Sequence, residues 1–241
     1  MVKKFKLLIL SNDLKKGGIE KVILNTILSF NKNNCKTDLF LINNIIEYKN
    51  YNLKLFNKYH AHNKSKKINF LSIFIHLKKI ISIFKTYNII MSHHDFSNYL
   101  NIIISILFTK HKSIIVLHTY PKFYFYNQNN IIGFNKFILH KFIQKIIYKL
   151  ADEIIVISKD LQYYVSKDIK RESTLIYNPL ITMKKNNKLN LNNKDKKFIC
   201  IGTLTKRKNH IFILKAFKKL NEIGYLKKNK ILLEIIGEGK Q

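Results

Sequence analysis

FICIGTLTKRKNHIFILKAFKKLNEIGYLKKNKILLEIIGEG, residues 198–239, reads as a strand (Phe198 to Gly202), a loop (Thr203 to Asn209), a helix, a second strand (Ile231 to Ile236) and a closing Gly237-Glu238-Gly239. Both strands are short and mostly apolar, the second interrupted by Glu234, and Ile213, Leu214, Phe217 and Leu220 recur at helical spacing as one inward stripe. Strand, helix and strand in that order make a βαβ unit with parallel pairing. Lys206, Arg207 and Lys208 fall where the helix is expected to open, and there free backbone N–H groups and the helix dipole already favour negative charge. A phosphate-bearing ligand is the expectation.

The same alternation runs through the preceding residues. Expected strands are Phe5 to Ser11, Thr37 to Ile42, Asn88 to Ser92, Ser113 to His118, Glu153 to Ile157 and Thr174 to Tyr177. Between them lie expected helices at Gly18 to Phe30, Leu71 to Lys85, Ser97 to Thr109, Gly133 to Leu150 and Lys159 to Val165. In the first helix Ile19, Val22, Ile23, Ile27 and Phe30 form one buried stripe. Apolar strands separated by amphipathic helices imply a parallel α/β sheet covered on both faces, a Rossmann-like domain over residues 1–182. Residues 183–197, almost all Lys and Asn, read as a linker, and 198–241 as the opening of a second such domain. Ligands of these sheets lie at the carboxyl ends of the strands, which marks Ser11 to Gly18, Ser92 to Asp95 and His118 to Pro121.

Composition narrows the function less. The chain has 241 residues, 46% of them hydrophobic, and a net charge of +30 from 44 Lys and Arg against 14 Asp and Glu. That field attracts polyanions of any kind, yet the cations are spread through every segment, as on a solvated surface, so charge alone assigns no partner. Cys35 and Cys200 are too few and too far apart for a disulfide framework or a metal site, and a reducing compartment fits. No stretch supplies the roughly 20 apolar residues of a spanning helix.

Candidate residues follow from position. Lys15-Lys16-Gly17-Gly18 joins the first strand to the first helix, where paired glycines permit positive φ and close approach of a ligand, or simply a tight turn. Glu20 in the first helical turn complements the dipole. His118 closes a strand, facing a cleft between the two domains with an imidazole able to bond a sugar hydroxyl. His93 and His94 are adjacent, so they point to opposite sides and do not share one ion. The helix at Gly133 to Leu150 carries Phe134, Ile138, Phe142, Ile146 and Leu150 along one side and Lys136, His140, Lys141, Lys145 and Lys149 on others. It reads equally as a core helix or as one that lies on an anionic bilayer, with Phe123 to Tyr126 at the headgroup level.

Five stretches in order, GGIEKVILN, ADEIIVISKDLQYYV, IYNPL, IGTLTKRKNHIFILKAFKKL and LEIIGEGKQ, resemble the retaining glycosyltransferases of family 4, whose GT-B fold sets two Rossmann domains face to face. The resemblance implies transfer of a sugar from a nucleoside diphosphate, a UDP-sugar, with retained configuration and without metal or other cofactor. It places Gly17 and Gly18 by the donor diphosphate, has His118 bond the donor sugar, maps the lysine of the family's G-R-L-x-x-x-K pattern on Lys208, and puts Gly237 and Glu238 near the nucleotide. Thr203 stands where that pattern carries arginine, with Arg207 as the nearby substitute. His94, Lys141 and Lys145 fall to the acceptor or membrane side.

The acceptor implied is an envelope glycan, such as lipopolysaccharide, or a polyprenyl-linked sugar at the inner face of the cell membrane. The family's E-x-x-x-x-x-x-x-E motif has no counterpart before Gln241, so the expectation is a transferase truncated within its donor half, with the activity of this chain alone left open. The alternatives are a non-catalytic, membrane-docked half and a basic nucleic-acid-binding protein. The latter lacks any helix-turn-helix, zinc-finger or RNP-type signature, so no nucleic acid is expected.

Overall fold

The computed structural model describes residues 5–48, 57–60, 70–120, 131–179, 196–205 and 208–239. Two compact units divide the chain, Met1–Ile181 and Thr182–Gln241.

In the first unit the strands are β1 (Leu7–Ser11), β2 (Thr37–Leu41), β3 (Lys58–His60), β4 (Ile89–Ser92), β5 (Lys112–Leu117), β6 (Glu153–Val156) and β7 (Thr174–Leu175). The helices are α1 (Gly18–Lys32), α2 (Phe70–Phe84), α3 (Asp95–Ile104), α4 (Ile131–Ile147) and α5 (Lys159–Tyr164). Among the described residues the seven strands form one sheet in the order β3-β2-β1-β4-β5-β6-β7, parallel at every pairing. This is the doubly wound architecture the alternation implies.

The apolar residues of β1 explain why it is central. Leu7 and Ile9 pack with Ile23, Leu24 and Ile27 of α1 on one face, whereas Leu8 and Leu10 pack with Ile80 and Phe84 of α2 on the other. Residues two apart share a face, so an unbroken apolar run is what a strand covered on both sides requires. Ile23, Leu24 and Ile27 are wholly buried, and each contributes about 1.5–3 kcal/mol by leaving water. A third cluster unites Ile115, Leu117, Ile154 and Val156 with Tyr148, Tyr164 and Ile169. Asp38 shows how a buried charge is held in this unit. Asp38 accepts from Tyr87 Oη at 2.8 Å and from the backbone N–H of Asn57 at 3.0 Å.

Two expected helices end differently from the reading. α3 begins at Asp95, two residues earlier than expected, and both α3 and α5 close in a π-helical turn, Ser105–Thr109 and Val165–Ile169. Lys110 and Lys170 then take left-handed φ angles of 54° and 59°, which turn the chain back toward the next strand. The short edge strand β3 carried no apolar alternation by which to find it.

The second unit contains β8 (Lys196–Ile201), α6 (His210–Glu222), α7 (Tyr225–Lys228) and β9 (Ile231–Ile236). β8 and β9 pair in parallel from Lys196 opposite Ile231 to Ile201 opposite Ile236. The strand therefore takes in Lys196 and Lys197, which the composition assigned to a linker, because Lys197 faces Glu234 across the unit in an ion pair at 3.0 Å. Residues 183–195 of that expected linker lie outside the described residues.

Candidate functional site

The strand order reverses direction at β1, since β2 flanks it on one side and β4 on the other, and ligand crevices of such sheets open there. The carboxyl ends of β1, β4 and β5 are neighbours through Leu10 opposite Ser92 and Ser92 opposite Ile115. From these ends emerge Ser11, His93 and His94, and His118.

The adjacent His93 and His94 divide as neighbours at a strand end should, His93 turning to His118 and His94 to Glu20 and Ser11. His93 stacks on His118 with ring centroids 5.2 Å apart, and His93 Nδ1 lies 2.9 Å from His118 Nε2. Among the described residues neither His93 Nε2 nor His118 Nδ1 has a hydrogen-bond partner, although both are buried. Burial, reinforced by the neighbouring charge of His94 and only partly opposed by Glu20, pushes His118 down to about 4. Burial holds His93 well below the ordinary histidine range, with the charges of His118 and His94 acting the same way. The pair is therefore neutral at neutral pH.

His94 turns to the other side. Its Nε2 is 3.3 Å from Glu20 Oε1 and its Nδ1 is 3.3 Å from Ser11 Oγ. Ser11 Oγ donates to the Asp13 carbonyl at 2.9 Å. Burial raises the Glu20 carboxyl, but the hydrogen bond from His94, the Glu20 backbone N–H and the charges of His94 and His118 outweigh it and leave the group below its usual range. Glu20 thus does more than complement the dipole of α1: it ties the start of that helix to the end of β4.

The Gly17-Gly18 turn makes no use of the positive φ that paired glycines permit. Gly17 is extended, with φ −164° and ψ 167°, and Gly224 is the one described glycine in the left-handed region. Gly17 is small for another reason, since a Cβ there would run into the Glu20 carboxylate. Tyr48 holds the turn from outside. Gly17 N–H donates to Tyr48 Oη at 3.0 Å, and the Tyr48 hydroxyl donates to the Gly17 carbonyl at 2.5 Å. Lys16 N–H is likewise taken by Glu47 Oε2 at 2.9 Å, so two amides of this loop are already committed within the chain. Nothing lies within 4 Å of a Cβ placed on Gly18.

On α4 the apolar stripe faces solvent. Ile138, Phe142, Ile146 and Leu150 are 50%, 60%, 49% and 55% exposed, while Gln144 and Tyr148 are buried. The buried side is polar because it meets Asp95, which accepts from Tyr148 Oη at 2.8 Å and from Gln144 Nε2 at 3.2 Å. Lys145 is exposed beside the stripe, whereas Lys141 pairs with Asp168 at 2.6 Å and is held to the protein. Phe123 to Tyr126 and Pro121 lie outside the described residues, as do the side chains of Phe134 and Lys136.

In the second unit the basic loop does not open the helix directly. Thr205 O accepts from the backbone N–H of Lys208 at 3.0 Å and of Asn209 at 3.3 Å, Asn209 adopts a left-handed φ of 51°, and α6 starts only at His210. Lys208 is exposed, and its stem lies over Gly202, with Cε 3.5 Å from a Cβ placed there. The ammonium is thereby drawn to the carboxyl end of β8. Arg207 lies outside the described residues. Gly237, Glu238 and Gly239 extend the sheet pairing: Gly202 N–H donates to Ile236 O and Leu204 N–H to Glu238 O, both at 2.9 Å. A Cβ on Gly237 would collide with the Gly202 carbonyl, and one on Gly239 with the Leu204 carbonyl. His210 is buried, with neither ring nitrogen bonded among the described residues.

Sequence reasoning singled out His118, His94, Glu20 and Lys208 but not the His93–His118 contact or the Tyr48 clamp. Tyr48 sits 31 residues from Gly17, and no local pattern announces it. His93 was visible as a polar residue closing an apolar strand beside another strand that ends in histidine. Among the described residues, no group of three or more His, Cys, Asp or Glu side chains could hold a metal ion.

Comparison with known proteins bears on both units. Residues 182–241 match the family model of Glycosyl transferases group 1. No curated protein matches the chain. Among solved structures the chain is similar to HepE from Anabaena in complex with UDP and glucose, at TM-score 0.69 and 12% identity over 98% of this chain and 62% of that one. HepE in complex with UDP matches at TM-score 0.63 and 12% identity, covering 97% of this chain and 69% of that one. The chain thus spans about 62% of the length of the first of these structures. At this identity the likeness establishes the fold, an α/β architecture of the GT-B, Rossmann-like type.

Proposed function

We propose that the protein is a retaining glycosyltransferase that moves a sugar from a nucleoside diphosphate, a UDP-sugar, to an envelope glycan or a lipid-linked acceptor. The observation that carries the reading is the match of residues 182–241 to the group 1 glycosyltransferase model, because that segment contains the Lys208 loop and the Gly237-Glu238-Gly239 turn. The barrier of such a transfer lies largely in negative charge collecting on the departing diphosphate, and fixed cations lower it most effectively where water is excluded. Lys208, already drawn to the end of β8, and Arg207 supply those cations, so the reading requires no metal ion. Gly237 and Glu238 lie near the nucleotide. His118, neutral at the end of β5, meets a hydroxyl of the donor sugar, and the Gly17-Gly18 turn lies by the diphosphate.

The solvent-facing stripe of α4 supports a peripheral location on an anionic membrane, where a lipid-linked acceptor would be found. No helix among the described residues is long and apolar enough to cross a membrane. Sedimentation with phosphatidylglycerol vesicles, set against phosphatidylcholine vesicles, tests this part, and equal partitioning would remove it.

The central test measures UDP release and sugar transfer by the purified chain from UDP-sugars to membrane lipid or glycan extracts, with Lys208→Ala alongside. Loss of one such cation should lower kcat by about 100-fold or more. Turnover that is indifferent to Lys208, or UDP affinity weaker than affinity for RNA of equal charge, would sink the reading.

A further inference from the structure

Leu8 lies opposite Ile90, Ile90 opposite Ser113 and Ile115 opposite Ile154, so these residues leave the sheet on one face. On that face Leu8 and Leu10 pack with Ile80 and Phe84 of α2 and with Ile104 of α3, while Ile115 and Ile154 pack with Ile102 of α3 and with Tyr148. α4 joins α3 through Gln144, which bonds Asp95, and through Tyr148 just beyond its end, whose ring lies 5.5 Å from that of Tyr99. α2, α3 and α4 therefore form one layer with a common outer side.

That outer side is apolar beyond α4 as well. Ile103, Ile106 and Leu107 recur at helical spacing and are exposed, with Phe108 beside them. The π-helical turn that carries the last three is pinned from within: buried Ser105 donates its hydroxyl to the His111 carbonyl at 2.6 Å, and the Ser105 carbonyl takes the Lys110 N–H at 2.9 Å. The apolar side chains are thus displayed on fixed backbone. On α2, Ile75 is exposed, and exposed Lys78, Lys79 and Ser82 continue its side of the helix. Single exposed apolar residues are ordinary, but a patch that runs over neighbouring elements marks a surface that something covers.

Charge identifies the cover. α2, the π-helical turn and α4 contain no Asp or Glu, and the one carboxylate of α3, Asp95, is held by Tyr148 and Gln144. Lys79, Lys110 and Lys145 are exposed on or beside these same elements. An apolar face bordered by cations alone suits an anionic bilayer, which takes apolar side chains below its phosphates and ammonium groups at their level. We propose that the outer side of the α2, α3 and α4 layer lies on such a bilayer, with Ile106, Leu107 and Phe108 entering it beside the α4 stripe. This rests on the membrane part of the reading above. It adds a second point of entry and with it an orientation, the sheet lying along the bilayer plane.

The 241-residue chain has no tryptophan, so a single Trp reports one place. Leu107→Trp and Phe142→Trp replace side chains that are 64% and 60% exposed, and the emission of each is read with phosphatidylglycerol vesicles and with phosphatidylcholine vesicles. Both should shift to shorter wavelength with phosphatidylglycerol only, and brominated acyl chains should quench both. Leu107→Asp should lower partitioning onto phosphatidylglycerol vesicles by about 10-fold or more, the loss expected when one apolar side chain stays in water. A shift for Phe142→Trp with none for Leu107→Trp overturns the proposal while the α4 contact stands, and no shift for either removes both, so the two failures are distinguishable. A Leu107→Trp shift that grows with protein concentration in the absence of vesicles would assign the face to a second copy of the chain and overturns the proposal as well.

Discussion

Two glycine turns that look alike in sequence, Gly17-Gly18 before α1 and Gly237-Glu238-Gly239 after β9, are glycine for different reasons. At Gly17 an added Cβ would meet the end of a flexible side chain, the Glu20 carboxylate, and at Gly18 it would meet open space. At Gly237 and Gly239 it would meet the main-chain carbonyls of Gly202 and Leu204, whose own amides donate across the turn to Ile236 and Glu238. None of the four uses a left-handed φ. A glycine pair at a strand end therefore says that something comes close. The neighbour decides whether that something can yield.

Acidification separates the two turns most strongly, because the Gly17 turn rests on a cluster of ionisable groups and the Gly237 turn on main chain. In that cluster His118 is lowered from 6.5 to about 4 and His93 is held well below its ordinary range, both chiefly by burial. The unfolded chain then takes up protons first as pH falls, so stability is full above about 6.5 and declines down to about 4 through His118, and the lowered Glu20 carboxyl carries the decline on below its ordinary value. The slope is about 1.4 kcal/mol per pH unit for each histidine. Urea unfolding of the first unit between those pH values checks it, and a flat profile would show that the cluster is open to water.

Gly237→Ala forces a Cβ against the Gly202 carbonyl and should cost about 2–3 kcal/mol, as overpacking of a rigid contact does. The readout is faster hydrogen exchange at Gly202 and Leu204, whose amides bond across the turn. Gly17→Ala displaces only the Glu20 side chain and should cost about 1 kcal/mol, the worth of the hydrogen bond to His94 that it disturbs. Adding Glu20→Ala to Gly17→Ala should then cost little more, whereas additive losses would show that Gly17 is needed for another reason. Gly18→Ala, at the first residue of α1 with space around it, should raise stability by about 0.4–1 kcal/mol, visible as a higher Tm.

The elements that were legible in the sequence are those with a covered face. Strands such as Leu7–Ser11 and Ile231–Ile236 are mostly apolar, and α1 carries its stripe, so their positions were readable to within a residue or two. β3, three residues long with Lys58 at its start, has no such run and owes its existence to hydrogen bonds with β2. The same limit applies to α4. Its apolar stripe was plain, but which side faced inward depended on Asp95, Gln144 and Tyr148 finding each other across 49 to 53 residues. In the site, residue types at strand ends marked His118 and His94, and the expected loop Thr203 to Asn209 ends where α6 begins, whereas the left-handed Asn209 that sets the cations apart from the helix is not encoded in local charge. Contacts such as Tyr48 with Gly17, or His93 with His118, come from the register of neighbouring segments, and periodicity along one segment carries no record of them.

The flanking of β1 by β2 and β4 also governs how the protein can be made. During synthesis the opening strand leaves the ribosome with both of its hydrogen-bonding edges bare, gains the first partner with residues 37–41, and lacks the second until 89–92 have emerged. For that interval a largely apolar strand with open edges is exposed to any passing polypeptide, which makes the nascent chain a client for holding chaperones and makes slow translation through that stretch a hazard to yield.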